Sequence, residues 1–294
     1  MPLPFLTQAR APLTRDIATI NEHGERSTTS IPAERALTVY VDKRELVTLM
    51  TLGDRPEWLV LGFLRNQRLL ASLDEVESVT VDWEVGSAAV KTRSGIEHIE
   101  ERTARRVVTT GCGQGSVFGG LMDEIEAIAL PEASITQGEL YGIVDAIRLQ
   151  ESTYKSAGSV HGCALFRGRE MLLFVEDVGR HNAIDTIAGW LWLQQDGATA
   201  IAPAPAEPQR NDVPFVFYTT GRLTSEMVIK SAQMGVPIVV SRSGITQMGH
   251  EIAERLGLCA IGRATNKHFL CYSAAQRLHL QPELAARKAA PTTV

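Results

Sequence analysis

The residue best suited to covalent chemistry is Cys112, which lies between two glycines in the run Thr109–Ser116. This run follows the β-branched stretch Val107–Thr110, so the sequence predicts that the cysteine leaves a strand on an exposed turn. Arg105 and Arg106 lie a few residues upstream, and their charge favours a thiolate. These features predict a reactive cysteine that handles sulfur. The alternative interpretation of the same residues is a tight structural turn.

Polar residues gather in three loops, each of which follows a predicted strand. The loops are Glu176–Asn182, Thr219–Ser225 and Ser241–Gly244. Open α/β sheets bind ligands at the carboxyl ends of their strands, where helix N-termini favour anions. The predicted pocket residues are Arg180, His181, Asn182 and Arg222, and Arg242 adds charge suited to a phosphate or carboxylate. Helix capping and ion pairing alone are the alternative explanation for these loops.

The composition sets the class of protein. The chain has 294 residues, of which 44% are hydrophobic and 21% charged, as is ordinary for a soluble globular protein with one large or two medium domains. A net charge of -5 argues against a nucleic-acid surface. Residues 1–14 lack the apolar core of a signal peptide, and no stretch approaches a membrane span. We therefore expect a cytoplasmic protein.

The cysteines point to the same compartment. Four of them are scattered along the chain without a Cys-x-x-Cys pair: Cys112, Cys163, Cys259 and Cys271. This pattern fits neither a disulfide framework nor a four-cysteine zinc site, and a reducing compartment is expected. The last three are assigned to predicted strands, so we expect them to be inert.

Hydrophobic patterning divides the chain into three parts. Residues 1–35 are polar and rich in Thr, Ser and Arg, and they predict a flexible N-terminal arm. Residues 36–130 predict a small α+β domain that ends in the Cys112 loop. Residues 131–294 predict a layered α/β domain with a proline-rich surface insertion at about 197–212.

Local signals mark the elements of these domains. Leu37–Val41 and Leu46–Met50 predict a hairpin, and Asp54 with Glu57 predicts a capping pair for a helix that ends near Asn66. In the second domain, Thr136 and Glu139 predict another capping pair. The predicted strands and helices that follow are Val160–Phe166, Met171–Val175, a helix with Ile184, Ile187, Ala188 and Leu191 on one face, Phe215–Thr219, Ser225–Met234, Ile238–Ser241, Thr246–Leu256 and Leu258–Ile261.

Five motifs go beyond ordinary patterning: Glu176–Asp185, Thr220–Met227, Ser159–Gly162, Leu46–Met50 and Leu61–Leu64. Together they resemble the formate dehydrogenase accessory sulfurtransferase family, the FdhD-type sulfur carriers. The resemblance covers roughly residues 36–275, and the run from Glu176 to Asp185 is far more specific than a short glycine pattern.

The resemblance implies a sulfur carrier required for formate dehydrogenase activity. Members of the family accept persulfide sulfur from a cysteine desulfurase. They transfer it to the molybdenum bis-guanine-dinucleotide cofactor before that cofactor enters the catalytic subunit of formate dehydrogenase. The persulfide cysteine carries over to Cys112. A C-terminal domain similar to the cytidine deaminase fold is also implied.

A cofactor-binding segment of the family carries over to the C-terminal part of the chain. Its residues here are Arg263, Ala264, Thr265, Asn266, Lys267 and His268. Together with the strand-end loops, this segment is expected to bind a guanine nucleotide as a fragment of the cofactor.

The chain departs from the family pattern at two places. Many members have Cys-x-x-Cys, whereas Gly115 stands at the second cysteine position here, so we expect a carrier with a single thiol. Arg263 and His268 stand at positions that are usually aromatic and arginine. The deaminase likeness does not imply zinc: His98-Ile99-Glu100 spells H-x-E, but no P-C-x-x-C follows it.

Two other functions stay open on the sequence. One is a non-catalytic chaperone that holds the cofactor or the target enzyme, and the other is a guanine-nucleotide-binding module in which Cys112 is incidental. The oligomeric state is open as well, with a homodimer as one option.

Overall fold

The computed structural model describes residues 3–96, 127–150, 152–196 and 213–285, which form a mixed α/β protein. The Cys112 loop, the predicted insertion at about 197–212 and the stretch His98-Ile99-Glu100 lie outside the described residues. Among the described helices, none is both long and apolar enough to cross a membrane.

The chain forms two compact units. The first comprises Met1–Ile128, Glu151–Ala164 and Leu173–Arg210, and the second comprises Ala129–Gln150, Leu165–Leu172 and Asn211–Val294. This division differs from the predicted boundary near residue 130, because two later segments of the chain return to the first unit.

The N-terminal segment of the first unit is rich in strands. They are β1 (Phe5–Leu6), β2 (Thr14–Ile20), β3 (Arg26–Pro32), β4 (Arg35–Val41), β5 (Arg44–Thr51), β6 (Val76–Asp82) and β7 (Ser87–Thr92). Five of them form one sheet in the order β1-β6-β7-β4-β5, and β2 pairs with β3 in a separate antiparallel ladder. The antiparallel pairing of β4 with β5 confirms the predicted hairpin.

The predicted flexible arm contains three of these strands. Its Thr and Ser residues suggested disorder, but the β-branched residues of β2 and β3 also favour strands. In the ladder that these strands form, the hydroxyls of Thr19 and Ser27 lie 2.9 Å apart. The segment before the ladder is held by Glu57, whose carboxylate accepts hydrogen bonds from the Thr7 hydroxyl (2.6 Å) and the Ala9 amide (2.7 Å). The arm prediction is therefore corrected to ordered β structure.

Helix α1 (Pro56–Asn66) ends at the predicted residue but begins differently. Its N-cap residue is Arg55, which has a φ of 60° and makes no capping hydrogen bond through its side chain. Asp54 and Glu57 do not form the predicted capping pair, because the buried Glu57 carboxylate contacts the N-terminal segment instead.

The later elements begin with β8 (Ile135–Thr136). They continue as α2 (Gln137–Leu149), α3 (Thr153–Ala157), β9 (His161–Arg167), β10 (Glu170–Asp177), α4 (Arg180–Asp196), β11 (Phe215–Thr219), α5 (Ser225–Gln233), β12 (Ile238–Ser241), α6 (Gln247–Leu256), β13 (Cys259–Thr265), β14 (His268–Cys271) and β15 (Leu278–His279). Thr136 and Glu139 form the predicted capping box at the start of α2.

Helix α4 belongs to the first unit because two glycines let it pack against α1 at backbone distance. A Cβ atom added at Gly62 in α1 would lie 1.7 Å from the carbonyl oxygen of Asp185 in α4. A Cβ atom added at Gly189 would lie 1.9 Å from the carbonyl oxygen of Trp58. The side chains of Trp192 and Leu193 complete the core that lies beneath the first sheet.

The second unit is built on parallel strands. Its sheet has the order β10-β9-β11-β12-β13-β14. Of the β9–β10 hairpin, only the turn end, Leu165–Leu172, belongs to the second unit. Strands β11, β12 and β13 are mutually parallel, and β14 returns antiparallel to β13. The described fold is thus the mixed α/β arrangement that the alternation of strands and helices predicted.

We predict that Gly62→Ala destabilises the protein by about 3 kcal/mol in urea unfolding, because the new methyl group collides with the backbone of α4. A glycine-to-alanine change inside a helix otherwise stabilises by about 1 kcal/mol. The matched control is Gln195→Ala, at an exposed position of α4, which should change the free energy of unfolding by less than about 0.5 kcal/mol. A neutral or stabilising Gly62→Ala would contradict the close packing.

Candidate functional site

The run Glu176–Asp185 forms a buried polar network inside the first unit. The Asp177 carboxylate accepts hydrogen bonds from the Thr51 hydroxyl and from the amides of Leu52 (3.1 Å) and Gly179 (3.0 Å). The Asn182 side-chain amide donates to Asp177 (2.8 Å). These bonds fix the end of β5 against the start of α4.

Asp177 is 3% exposed, and its burial raises the pKa of the carboxyl group although the four hydrogen bonds oppose that shift. Each hydrogen bond stabilises the carboxylate in surroundings where water cannot. The Asp177 side chain therefore stabilises the conformation of this loop.

The other members of the run also have partners within the first unit. Glu176 accepts hydrogen bonds from the backbone amides of Thr153 (2.5 Å) and Tyr154 (3.1 Å) at the start of α3. Asp185 is fully buried and accepts a hydrogen bond from the Asn66 side chain (2.7 Å). The run thus ties α3 to the end of β10 and α1 to α4.

Three of the predicted pocket residues are the first three residues of helix α4. Arg180, His181 and Asn182 are each 5–6% exposed. The amide nitrogen of Asn182 donates to the Met50 carbonyl oxygen (2.6 Å) as well as to Asp177, so binding of a base or sugar by this amide would require one of those bonds to break. The fourth predicted pocket residue, Arg222, belongs to the second unit.

In the second unit, the loops after the parallel strands are joined by hydrogen bonds. Thr219 and Ser241 end neighbouring strands in register and are fully buried. The Ser241 hydroxyl donates a hydrogen bond to the Gly221 carbonyl oxygen (2.7 Å). The Arg242 backbone amide donates to the Thr219 carbonyl oxygen (3.0 Å). The strand-end loops therefore form one edge, as expected for parallel strands.

The cofactor segment carried over from the family reaches the same edge. The Arg263 amide donates to the Ser243 carbonyl oxygen (2.7 Å). The side chains of Arg222, Arg242 and Arg263 are exposed, and among the described residues none of the three has a salt bridge. We call these three residues the arginine edge. Its guanidinium groups are suited to phosphate or carboxylate.

The backbone of the segment Arg263–His268 is unusual. The β13–β14 ladder shifts register between Gly262 and Thr265, and Arg263 and Asn266 have φ values of 53° and 51°. Left-handed conformations at residues other than glycine cost free energy, and bulges turn side chains toward new directions. The bulge leaves the Arg263 side chain exposed.

Five of the six residues in this segment are exposed. They are Arg263, Thr265, Asn266, Lys267 and His268. Ala264 is 1% exposed, so its side chain belongs to the core. The turn is anchored by the Tyr141 hydroxyl, which donates to the Lys267 carbonyl oxygen (3.0 Å). The segment is therefore a fixed, accessible turn.

Two glycine positions keep the edge compact. A Cβ atom added at Gly262 would lie 2.5 Å from the Tyr272 ring and 2.8 Å from the Ser243 carbonyl oxygen. At Gly249, it would lie 2.6 Å from the Leu223 carbonyl oxygen. Sequence patterns had not identified either residue, since the close approaches arise only in the folded sheet.

The cysteines differ in their surroundings. Cys112 lies outside the described residues, so its predicted exposure stays a prediction. Cys163 is fully buried in β9. Cys259 and Cys271 lie on neighbouring strands with their sulfur atoms 4.0 Å apart, a pairing that the sequence analysis missed. The sequence assigned both cysteines to strands but did not show that these strands pair, and the β13–β14 hairpin places the two positions close together.

Residues 32–279 match the FdhD/NarQ family. The chain is 29% identical over 274 residues to the sulfur carrier protein FdhD of Bacillus licheniformis, covering 93% of this chain and 97% of the relative. It is also 29% identical over 260 residues to the protein of that name from Bacillus subtilis, covering 88% of this chain and 92% of the relative.

A solved structure shares the fold. The crystal structure of a proposed formate dehydrogenase accessory protein from Desulfotalea psychrophila superposes with a TM-score of 0.68 at 22% identity, covering 91% of this chain and 100% of that one. The two chains thus share one mixed α/β fold. The chain belongs to the FdhD/NarQ family, which confirms the predicted resemblance.

We predict that Asp177→Ala lowers the free energy of unfolding by about 4 kcal/mol, because it leaves several buried donors without an acceptor. Thermal and urea unfolding followed by circular dichroism measure the loss. Asp82→Ala is the control, since the exposed Asp82 accepts one local hydrogen bond from the Glu84 amide and should cost less than about 1 kcal/mol. Equal losses for the two variants would show that the network contributes little.

Proposed function

We propose that this chain is a sulfur carrier that serves formate dehydrogenase. Cys112 accepts persulfide sulfur from a cysteine desulfurase and transfers it to the molybdenum bis-guanine-dinucleotide cofactor, which is the substrate of the transfer. External thiols supply the two electrons that bring the sulfur to the oxidation level of sulfide, and they are oxidised to a disulfide. The carried sulfur then enters the catalytic subunit of formate dehydrogenase with the cofactor.

The observation that carries the proposal is the family match over residues 32–279, together with relatives that are named sulfur carriers. The named relatives are aligned over almost their whole length. The solved neighbour supports the formate dehydrogenase connection through its description alone.

The acceptance step is a thiol exchange. The Cys112 thiolate attacks the terminal sulfur of the desulfurase persulfide, the desulfurase cysteine leaves as a thiolate, and Cys112 becomes the persulfide. No electrons are exchanged with a third partner. Arg105 and Arg106, a few residues upstream in the sequence, favour the thiolate that begins this step.

The arginine edge supports binding of the cofactor. A guanine dinucleotide carries phosphates, and three exposed guanidinium groups without salt bridges among the described residues suit them. Thr265, Asn266, Lys267 and His268 add accessible polar side chains on the anchored turn. This is a feature that a protein holding the nucleotide portion of the cofactor would need.

Three further expectations belong to this proposal. Parallel strands with intervening helices in the second unit are compatible with a likeness to the cytidine deaminase fold. A cytoplasmic location accords with transfer between thiols in a reducing compartment. A homodimer stays a prediction for measurement by light scattering.

We predict that incubation with a cysteine desulfurase and cysteine raises the mass of the protein by about 32 Da, the mass of one persulfide sulfur, and that Cys112→Ser prevents the gain. Intact mass spectrometry and peptide mapping provide the measurement. Cys163→Ser is the control, since Cys163 is fully buried and should not be needed.

The same variant separates the carrier from the alternative functions. A carrier with Cys112→Ser loses support of formate dehydrogenase activity while it retains nucleotide binding. A chaperone or a nucleotide-binding module would retain both properties. Full support of the dehydrogenase by Cys112→Ser would therefore refute the carrier proposal.

We predict that GDP binds more tightly than ADP, and that Arg263→Ala weakens GDP binding about tenfold in calorimetry because it removes one charged contact to phosphate. Arg255→Ala is the matched control, since Arg255 is an exposed arginine on α6 away from the strand ends and should leave the affinity unchanged. Equal binding of GDP and ADP, or equal effects of both variants, would count against the guanine site.

A further inference from the structure

Two thiols meet between the last strands of the second unit. The sulfur atoms of Cys259 in β13 and Cys271 in β14 are 4.0 Å apart. Cys271 is opposite Ile261 in the antiparallel register, and Cys259 is two residues before Ile261, so the cysteines form a diagonal pair on one face of the ladder. Neither sulfur is in a disulfide.

The two thiols have different surroundings. Cys259 is fully buried, whereas Cys271 is only partly buried and can be approached from solvent. The hydrogen bond with Cys259 lowers the pKa of Cys271 to about 7, although burial and Glu254 oppose this. The same hydrogen bond, with burial, raises the pKa of Cys259 although the positive charge of Arg277 opposes the rise. The pair therefore combines a thiol that a donor can reach, Cys271, with a buried thiol held beside it, Cys259.

We propose that Cys271 and Cys259 form a second sulfur-handling site, in which Cys271 accepts sulfur from a persulfide and Cys259 releases it as hydrogen sulfide. This inference rests on the proposed sulfur-carrier function and deepens it, because a sulfido ligand on the cofactor requires sulfur at the oxidation level of sulfide.

The reaction balances within the pair and its donor. The Cys271 thiolate attacks the terminal sulfur of a persulfide, the donor leaves as a thiolate, and Cys271 becomes the persulfide. The Cys259 sulfur then attacks the Cys271 sulfur, and the terminal sulfur leaves with the Cys259 proton as hydrogen sulfide. The transferred sulfur gains two electrons, which come from the two cysteine sulfurs as they form a disulfide.

The final bond requires the two sulfurs to approach and the end of β14 to shift toward β13, because the Cα atoms of a diagonal pair are typically about 7–8 Å apart. They must close from 4.0 Å to the disulfide distance of about 2 Å. Cys271 is the last residue of β14 and is partly exposed, so this end of the strand can move together with the Cys271 side chain. A dithiol reductant then restores the two thiols through exchange.

The position of the pair explains why it suits this role. Strands β13 and β14 are joined by the turn that carries Asn266 and Lys267, so the pair and the predicted cofactor segment belong to one hairpin. The sequence lacks a second cysteine at Gly115, and the Cys259–Cys271 pair supplies two thiols at another place in the chain.

The test uses the full chain with Cys112→Ser, freed of reductant, and glutathione persulfide as the donor. We expect about one sulfide released per chain, above the release from glutathione persulfide alone, together with a Cys259–Cys271 disulfide in non-reducing peptide maps. Adding Cys271→Ser should abolish both. Adding Cys259→Ala should abolish sulfide release but leave Cys271 heavier by about 32 Da, because the persulfide forms and is not resolved.

Controls separate chemistry from folding. Cys163→Ala changes another buried strand cysteine and should leave sulfide release and the disulfide unchanged. Circular dichroism melts establish that each variant is folded, and Cys259→Ser replaces Cys259→Ala where the smaller side chain unfolds the protein. Unchanged sulfide release with Cys271→Ser, or release without the disulfide, would overturn the proposal.

The outcome is independent of the carrier assignment. Because Cys112 is absent from the test protein, failure of the pair to release sulfide leaves persulfide formation on Cys112 intact. Conversely, the chain that retains Cys112 is incubated with the desulfurase. Absence of sulfur uptake there would refute the carrier proposal, even if the Cys259–Cys271 pair still released sulfide from glutathione persulfide.

Discussion

The close contact between α1 and α4 is the constraint on which the first unit depends. Gly62 and Gly189 bring the two helix backbones together where any side chain would collide with a carbonyl oxygen. This contact places Trp192 and Leu193 in the core that also contains residues of α1 and of the strands β4 to β7. A helix that follows β10 in sequence thereby completes the fold of the N-terminal segment, and the buried Asn66–Asp185 hydrogen bond fixes its orientation.

The packing of α4 in the first unit gives the most specific motif of the chain a structural role. The run Glu176–Asp185 looked like a ligand-binding loop because it follows a strand and precedes a helix. In the structure, its side chains make internal hydrogen bonds instead. Asp177 accepts from Thr51 and Leu52, Asn182 donates to Met50, and Asp185 accepts from Asn66. The run therefore positions one part of the first unit against another, since buried polar groups require internal partners.

In the second unit, the residues suited to binding and to sulfur chemistry lie at strand ends and in a hairpin. Parallel strands end together, and hydrogen bonds among their loops hold Arg222, Arg242 and Arg263 on one edge. The bulge in β13 exposes Arg263 while Ala264 enters the core. The β13–β14 hairpin also brings Cys259 beside Cys271, so charge for an anionic ligand and a dithiol pair occur within one small element.

The sequence by itself determined the elements with strong local signals, including the β4–β5 hairpin, the Thr136–Glu139 capping box, the alternation from β11 to β13 and the family. Local signals sufficed there because caps, turns and periodicity act over a few residues. Only the tertiary structure decided that α4 joins the first unit, that Asp177 contacts Thr51, and that Cys259 meets Cys271. Those pairings join segments distant in sequence, and close packing and strand register select them.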